Sequence, residues 1–188
     1  MGREVIKVIR SNRRTISLEI TPVGDVLVRA PRHMSETEIR AFVELKSSWL
    51  AKHLQKQEED RDSLQVEGLF TEQEIERLLK LAKQVIPEKV AYYARLMGVS
   101  YGRVTVRKQK TRWGSCSREG NLSFNCLLMM APPEVLDYVV VHELSHRLEM
   151  NHSSRFWAQV EKVIPDYRKP RKWLKELGGR LMLRMHGE

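Results

Sequence analysis

The sequence predicts an α+β chain. An N-terminal three-stranded β-meander plus helix precedes a core in which a small antiparallel sheet lies beside an apolar helix. Three observations predict it. Short alternating apolar runs bounded by turn residues fill the stretch 4–30. Two Ser/Thr-x-x-Glu boxes each open a stretch of helical apolar periodicity. A continuous apolar run over 135–141 leads into the segment His142-Glu143-Leu144-Ser145-His146.

Residues 4–10, 14–20 and 25–30 read as strands; in the second, Ile16, Leu18 and Ile20 share one face, and Pro22-Val23-Gly24-Asp25 supplies a turn. Ser35-Glu36-Thr37-Glu38 opens a helix expected to reach about Gln57, with Ile39, Phe42, Val43, Leu45, Trp49, Leu50 and Leu54 on its apolar face. The charged stretch Glu58–Ser63 reads as a linker, dividing an N-terminal domain, 1–62, from a catalytic domain, 63–188. Thr71-Glu72-Gln73-Glu74 opens a second helix, which Pro87 should kink or restart and Gly98 should end. Strands follow at 103–109 and 121–126, with 111–116 as a loop or strand edge between them. Pro132-Pro133 precedes a helix over 134–149. Helices at 154–163 and 168–177 come next, and Gly178-Gly179 sets off a basic C-terminal tail.

At 188 residues, with 41% hydrophobic and 30% charged residues, the chain can bury a real core. It has no apolar run long enough to span a membrane and no signal-peptide core, so the expected location is cytoplasmic. Two cysteines, Cys116 and Cys126, are too few for a disulfide scaffold and are expected reduced. The net charge of +9 is uneven: 103–118 carries Arg103, Arg107, Lys108, Lys110, Arg112 and Arg118 and no acid. Such a surface is a candidate for nucleic-acid contact, with an ordinary solvated face as the alternative. Nothing in the composition fixes an oligomeric state.

The chemistry sits in 142–152. Residues i and i+4 share a helix face, so His142 and His146 can aim their rings at one point. Glu143, one step round, can reach a water on a metal held there without becoming a ligand, which is the arrangement of a metal-dependent hydrolase with Glu143 as general base. A catalytic Zn²⁺ takes a third protein ligand and keeps a fourth position open. His152 is the expected third. On an unbroken helix it would point away from His142, so the helix must end near Glu149–Asn151, with Asn151 turning left-handed and Ser153 or Ser154 capping the next helix. Glu149 and Glu161 are the rival ligands. Two histidines merely hydrogen-bonded in a structural helix would be the bland alternative, but polar rings inside so apolar a run need a compensating partner.

Thr111-Arg112-Trp113-Gly114-Ser115-Cys116, Leu122 to Asn125, Pro133, Asp137 to His146, Asn151-His152-Ser153 and Phe156-Trp157 together resemble the YgjP-like metallopeptidase family, strongly over about 100–167 and loosely over the N-terminal strands and first helix. The resemblance implies a zincin-like core related to SprT-like peptidases. It implies one zinc ion per chain on His142, His146 and His152, Glu143 as general base, and a peptide or protein substrate. Two features depart from the pattern. The chain is short between 58 and 70, where longer relatives would carry a further strand pair. Metzincins share the HExxH-x5-H spacing, yet their turn glycine would fall at Glu149, so the turn before His152 is built differently.

Trp113, Gly114, Ser115, Asn125 and Tyr138 are the candidates for contacts to substrate or to the ligating histidines. Four of them have a plainer role as well: packing for Trp113 and Tyr138, an ordinary turn for Gly114, a strand-end hydrogen bond for Asn125. Glu134 and Asp137 are candidates to accept from a histidine N–H. Phe156 and Trp157 read as core anchors, and Cys116 as a small buried residue. An edge strand beside the metal helix would bind an extended peptide by its backbone. Two other functions stand as alternatives. One is a metal-dependent nucleotide pyrophosphatase, with Arg107–Arg112 holding phosphates. The other is a protease acting on nucleic-acid-bound proteins.

Overall fold

The computed structural model describes residues 6–21 and 24–186. Two compact units divide at Val66/Glu67.

In the N-terminal unit, β1 (Ile6–Ser11), β2 (Ser17–Ile20) and β3 (Val26–Pro31) form one sheet. Its order is β1-β3-β2, with β1 parallel and β2 antiparallel to β3, so the strands do not make a meander. Burial explains the order. Val26, Val28 and Ala30 have no exposed surface and Leu27 is also buried, which suits the central strand, whereas β1 is exposed along its whole length. The start of the expected first strand and Pro22-Val23 of the expected turn lie outside the described residues. What is described of the turn closes with Gly24 at φ 93°, its N–H donating to Thr21.

The Ser35–Glu38 capping box forms in full and opens α1 (Glu36–Leu45). The chain pauses at Lys46 and continues as α2 (Ser47–Glu67). The stretch read as a linker is therefore helical. Its Glu and Arg residues are good helix formers and no Gly or Pro interrupts it; Gln55 donates to Glu59 one turn on, and Gln57 ties the helix to Thr21 O at 2.9 Å. A groove of about 800 Å³ opens between β1 and the two helices, lined by Ile6, Val8, Ile39, Val43 and Leu50 with Arg10, Arg40, Glu36 and Glu44. It holds no cluster of catalytic or metal-binding side chains.

In the second unit the Thr71–Glu74 capping box opens α3 (Glu72–Met97), which Gly98 ends in the left-handed conformation at φ 65°. Pro87 does not break it. Leu78, Ala82, Ile86, Val90 and Ala94 form a buried i+4 stripe, and their burial outweighs the one backbone bond proline removes. A small sheet follows, made of β4 (Val104–Arg107), β5 (Gly114–Cys116) and β6 (Leu122–Asn125) in the order β4-β6-β5. It is mixed rather than antiparallel, because β4 runs parallel to β6. A 3-10 turn, Cys126–Met130, leads to α4 (Pro133–Ser145), with proline at its first position. Then come α5 (Ser154–Val163), α6 (Arg168–Glu176) and α7 (Gly178–His186), so the segment read as a tail is a helix. Val139, Val140, Val141 and Leu144 of α4 pack at the centre with Phe124, Ile86 and Phe156. Both units mix helix and sheet, the α+β class, and in the second unit α4, which carries His142, lies beside the small mixed sheet. No helix among the described residues is long and apolar enough to cross a membrane.

Candidate metal centre

Three histidines meet at the end of α4. His142 lies on the last full turn and His146 is the C-cap residue, with α-helical φ and ψ of −65° and −14°. The helix thus ends about a turn earlier than the spacing predicts. Arg147, Leu148 and Glu149 donate back to Leu144 and Ser145, tightening the exit. No non-glycine residue described has positive φ, so a left-handed Asn151 does not build the turn. Ser153 donates to Asn151 O at 2.7 Å instead, and its hydroxyl caps α5 by accepting from Phe156 N. This brings His152 back over the helix.

His142 Nε2 and His152 Nε2 stand 3.0 Å apart. One ligand atom from each of His142, His146 and His152 falls in a group no wider than 4.8 Å. His146 Nδ1 donates to Glu149 O at 3.2 Å, which leaves its Nε2 lone pair free, and the Tyr138 hydroxyl lies 3.5 Å from His142 Nδ1. Burial, then the neighbouring His146 and His152 and the cation of Arg171, push His142 down to about 3; burial likewise lowers His146. Without a cation, one of the two facing nitrogens must carry a proton for the other to accept; with one, all three neutral imidazoles can turn a lone pair to it, and they are the donor set a zinc ion takes. Two ligands about 2.1 Å from one ion are at most about 4.2 Å apart, so only a small closing movement is needed. The residues fit the metal.

Glu143 is 6% exposed, and burial pushes its carboxyl up to about 8, with Arg112 pulling weakly the other way. It packs on Gly114, where an added Cβ would lie 2.7 Å from Glu143 Oε1. Phe156 is fully buried and its ring sits 4.6–4.9 Å from all three imidazoles, walling the site from the core.

The other sequence candidates divide. Asn125, fully buried, donates to Gln109 O (2.8 Å) and Arg112 O (3.1 Å), and its Oδ1 accepts from Leu127 N (3.1 Å). It holds the segment that enters β5 and does not join the histidine group. Trp113 packs against Gly178 and the core. Tyr138 is 4% exposed, with its hydroxyl turned to His142 rather than open to the cleft. Ser115 pairs with Ser123, directing its backbone to β6. Since Trp113 O and Ser117 N also bond toward β6, alternation aims the N–H and C=O of Gly114 and Cys116 at the outer edge.

Asp137 does not serve a histidine. It pairs with Lys89 at 2.7 Å, and its charge acts on the Tyr93 phenol, both residues on α3. Glu134 is exposed in the first turn of α4. Neither rival ligand joins the group: Glu149 Oε1 pairs with Arg155 at 3.1 Å and Glu161 lies 4.0 Å from Arg168. The contribution of Glu149 is its main-chain carbonyl, which no residue type could have signalled. Arg171, stacked near the site, was also invisible in the sequence. Cys116 and Cys126 are both free thiols.

A family model described as YgjP-like, metallopeptidase domain, matches residues 14–76 and 70–177. Among solved structures, the chain is similar to the metallopeptidase zymogen abylysin of Pyrococcus abyssi, with 23% identity and a TM-score of 0.45 over 50% of this chain and 96% of that one. It is also similar to the metallopeptidase zymogen jannalysin of Methanocaldococcus jannaschii, with 18% identity and a TM-score of 0.43 over 50% and 98%. No curated protein sequence matches it.

Proposed function

The chain belongs to the YgjP-like metallopeptidase family, and from that premise we propose a zinc-dependent peptidase in which His142, His146 and His152 hold the ion and Glu143 is the general base. The family makes the protein a metal-dependent peptidase acting on peptides or proteins. It lends nothing to nucleotide hydrolysis.

The approach of His142 Nε2 to His152 Nε2 at 3.0 Å, with His146 beside them, supports the reading most directly. Zinc, when bound, supplies a Lewis acid that polarises the scissile carbonyl and makes water acidic. In its ionised form, which a bound dication would favour over the neutral acid that burial alone prefers, Glu143 takes the proton of the attacking water on a carboxylate oxygen and passes it to the departing amine nitrogen. Burial against Gly114 fixes that carboxylate and keeps bulk water from it. The outward N–H and C=O groups of Gly114 and Cys116 hold an extended substrate by backbone pairing, which is tolerant of side chains. The two free thiols suit a reducing compartment, and we place its action in the cytoplasm.

Zinc analysis of the purified chain, together with cleavage of an unfolded protein with and without chelator, tests the assignment. About one zinc per chain and chelator-sensitive cleavage are expected. Cleavage that persists in the metal-free protein would overturn it.

A further inference from the structure

The geometry points to a carboxylate-binding site beside the histidine group, made by Arg112 and Arg171, that selects peptides with acidic side chains flanking the cleaved bond. This rests on the peptidase reading and adds a substrate class to it.

Arg171, on α6, lays its guanidinium over the ring of Trp157 at 4.3 Å from the centroid. Trp157 stacks in turn on His152, 5.8 Å away at 29°, and on Tyr167, 5.2 Å away at 17°. Arg171 is exposed but not loose, because the aromatic stack fixes it near the third histidine. Stacking uses the flat face of a guanidinium and leaves its N–H edge open, and that edge is the part that forks onto a carboxylate. Neither Arg171 nor Arg112 has an ion-pair partner among the described residues, although the nearby cations Arg155, Arg168 and Lys169 all have one.

Arg112 stands at the other end. Its carbonyl is pinned by the buried Asn125, and it lies two residues before Gly114, the residue in contact with Glu143. A strand added along β5 would run past it. A neutral or basic peptide leaves both cations without partners; an acidic one satisfies both.

The test is binding, read by fluorescence anisotropy on the full chain carrying Glu143→Gln, with matched decapeptides holding Glu, Gln or Lys at the flanking positions. The Glu peptide is expected to bind about 10-fold tighter than the Gln peptide at low salt and to lose most of that margin at 0.5 M salt. Arg112→Gln and Arg171→Gln should each lower the Glu-to-Gln ratio by roughly 3-fold, and the double variant should bring it near one. Arg171→Lys, which keeps the charge but not the fork, should fall between. Equal binding of the three peptides, or an acidic preference that survives the double variant, overturns the proposal. So does tighter binding of a single-stranded oligonucleotide of equal charge, which would assign the arginines to nucleic acid. Wild-type cleavage of the Gln peptide is measured in parallel: if it is absent while acid-selective binding holds, only the peptidase reading fails.

Discussion

Gly114 and Glu143 touch, strand against helix, so closely that a side chain at 114 has no room: a Cβ there would lie 2.7 Å from Oε1 and 2.8 Å from Cγ of the glutamate. The glycine is needed for this approach, not for an unusual backbone angle. Gly114→Ala must displace the Glu143 carboxylate. A shift of about 1 Å in a reacting group costs on the order of 100-fold, so kcat/KM should fall about that much while zinc content stays at the wild-type level. Overpacking should also cost roughly 1–3 kcal/mol by denaturant titration. An alanine variant with wild-type kinetics would separate Glu143 from the chemistry.

Replacing the carboxylate itself gives a sharper separation. Glu143→Gln keeps the shape and removes an acid whose ionised form burial penalises. The fold should be no less stable, metal content should be unchanged, and turnover should drop by about 10²–10⁴-fold. Full turnover in this variant would remove Glu143 from the mechanism.

Metal binding should appear as thermal stability. Zinc at a hundred times its Kd adds about 2.7 kcal/mol, so chelation should lower Tm, and restored zinc should recover it. His152 is exposed, so His152→Ala should leave the metal-free Tm within the change of about 0.5 kcal/mol usual for surface positions, yet abolish the zinc-induced rise. A zinc-induced rise that persists in His152→Ala would point to a different third ligand.

Asn125 tests how the edge strand is held. Asn125→Ala strands the carbonyls of Gln109 and Arg112 and the N–H of Leu127 inside the protein. A loss of roughly 2–4 kcal/mol is expected, with hydrogen exchange accelerated over 109–116 before the rest of the unit. A silent substitution would mean that β5 is positioned by other contacts.

Much of this was legible because it is local. The two capping boxes, the approximate strand positions and the shared helix face of His142 and His146 follow from spacing, whereas His152 joins them only through a turn. What was misread depends on distant partners. Alternation in β1 is the same whether its neighbour is β2 or β3, so the sequence could not tell a meander from the order β1-β3-β2. The same holds for the direction of β4. Asp137 faces Lys89 and Tyr93 on α3, far away in the chain, instead of a histidine one turn along. The turn before His152 was placed through a left-handed asparagine, whereas backbone bonds from 147–149 to Leu144 and Ser145 do that work with no residue-type signature.

The Asp137–Tyr93 contact yields a pH prediction. Burial, then the charge of Asp137 and the hydrogen bond to it, push the Tyr93 phenol up to about 12 from an ordinary value near 10. The folded chain therefore keeps the phenol neutral over a range where the unfolded chain ionises. Between pH 10 and 12 the native state binds more protons, so stability falls as pH rises; this contribution is fully present below 10 and lost by about 12. Buried Tyr138 is raised to about 12 as well and adds in the same direction. Tyr93→Phe cannot ionise, and its stability, measured by denaturant titration at steps from pH 9 to 12, should decline less steeply than that of the wild type. Parallel curves would show that the phenol is not held neutral in the fold.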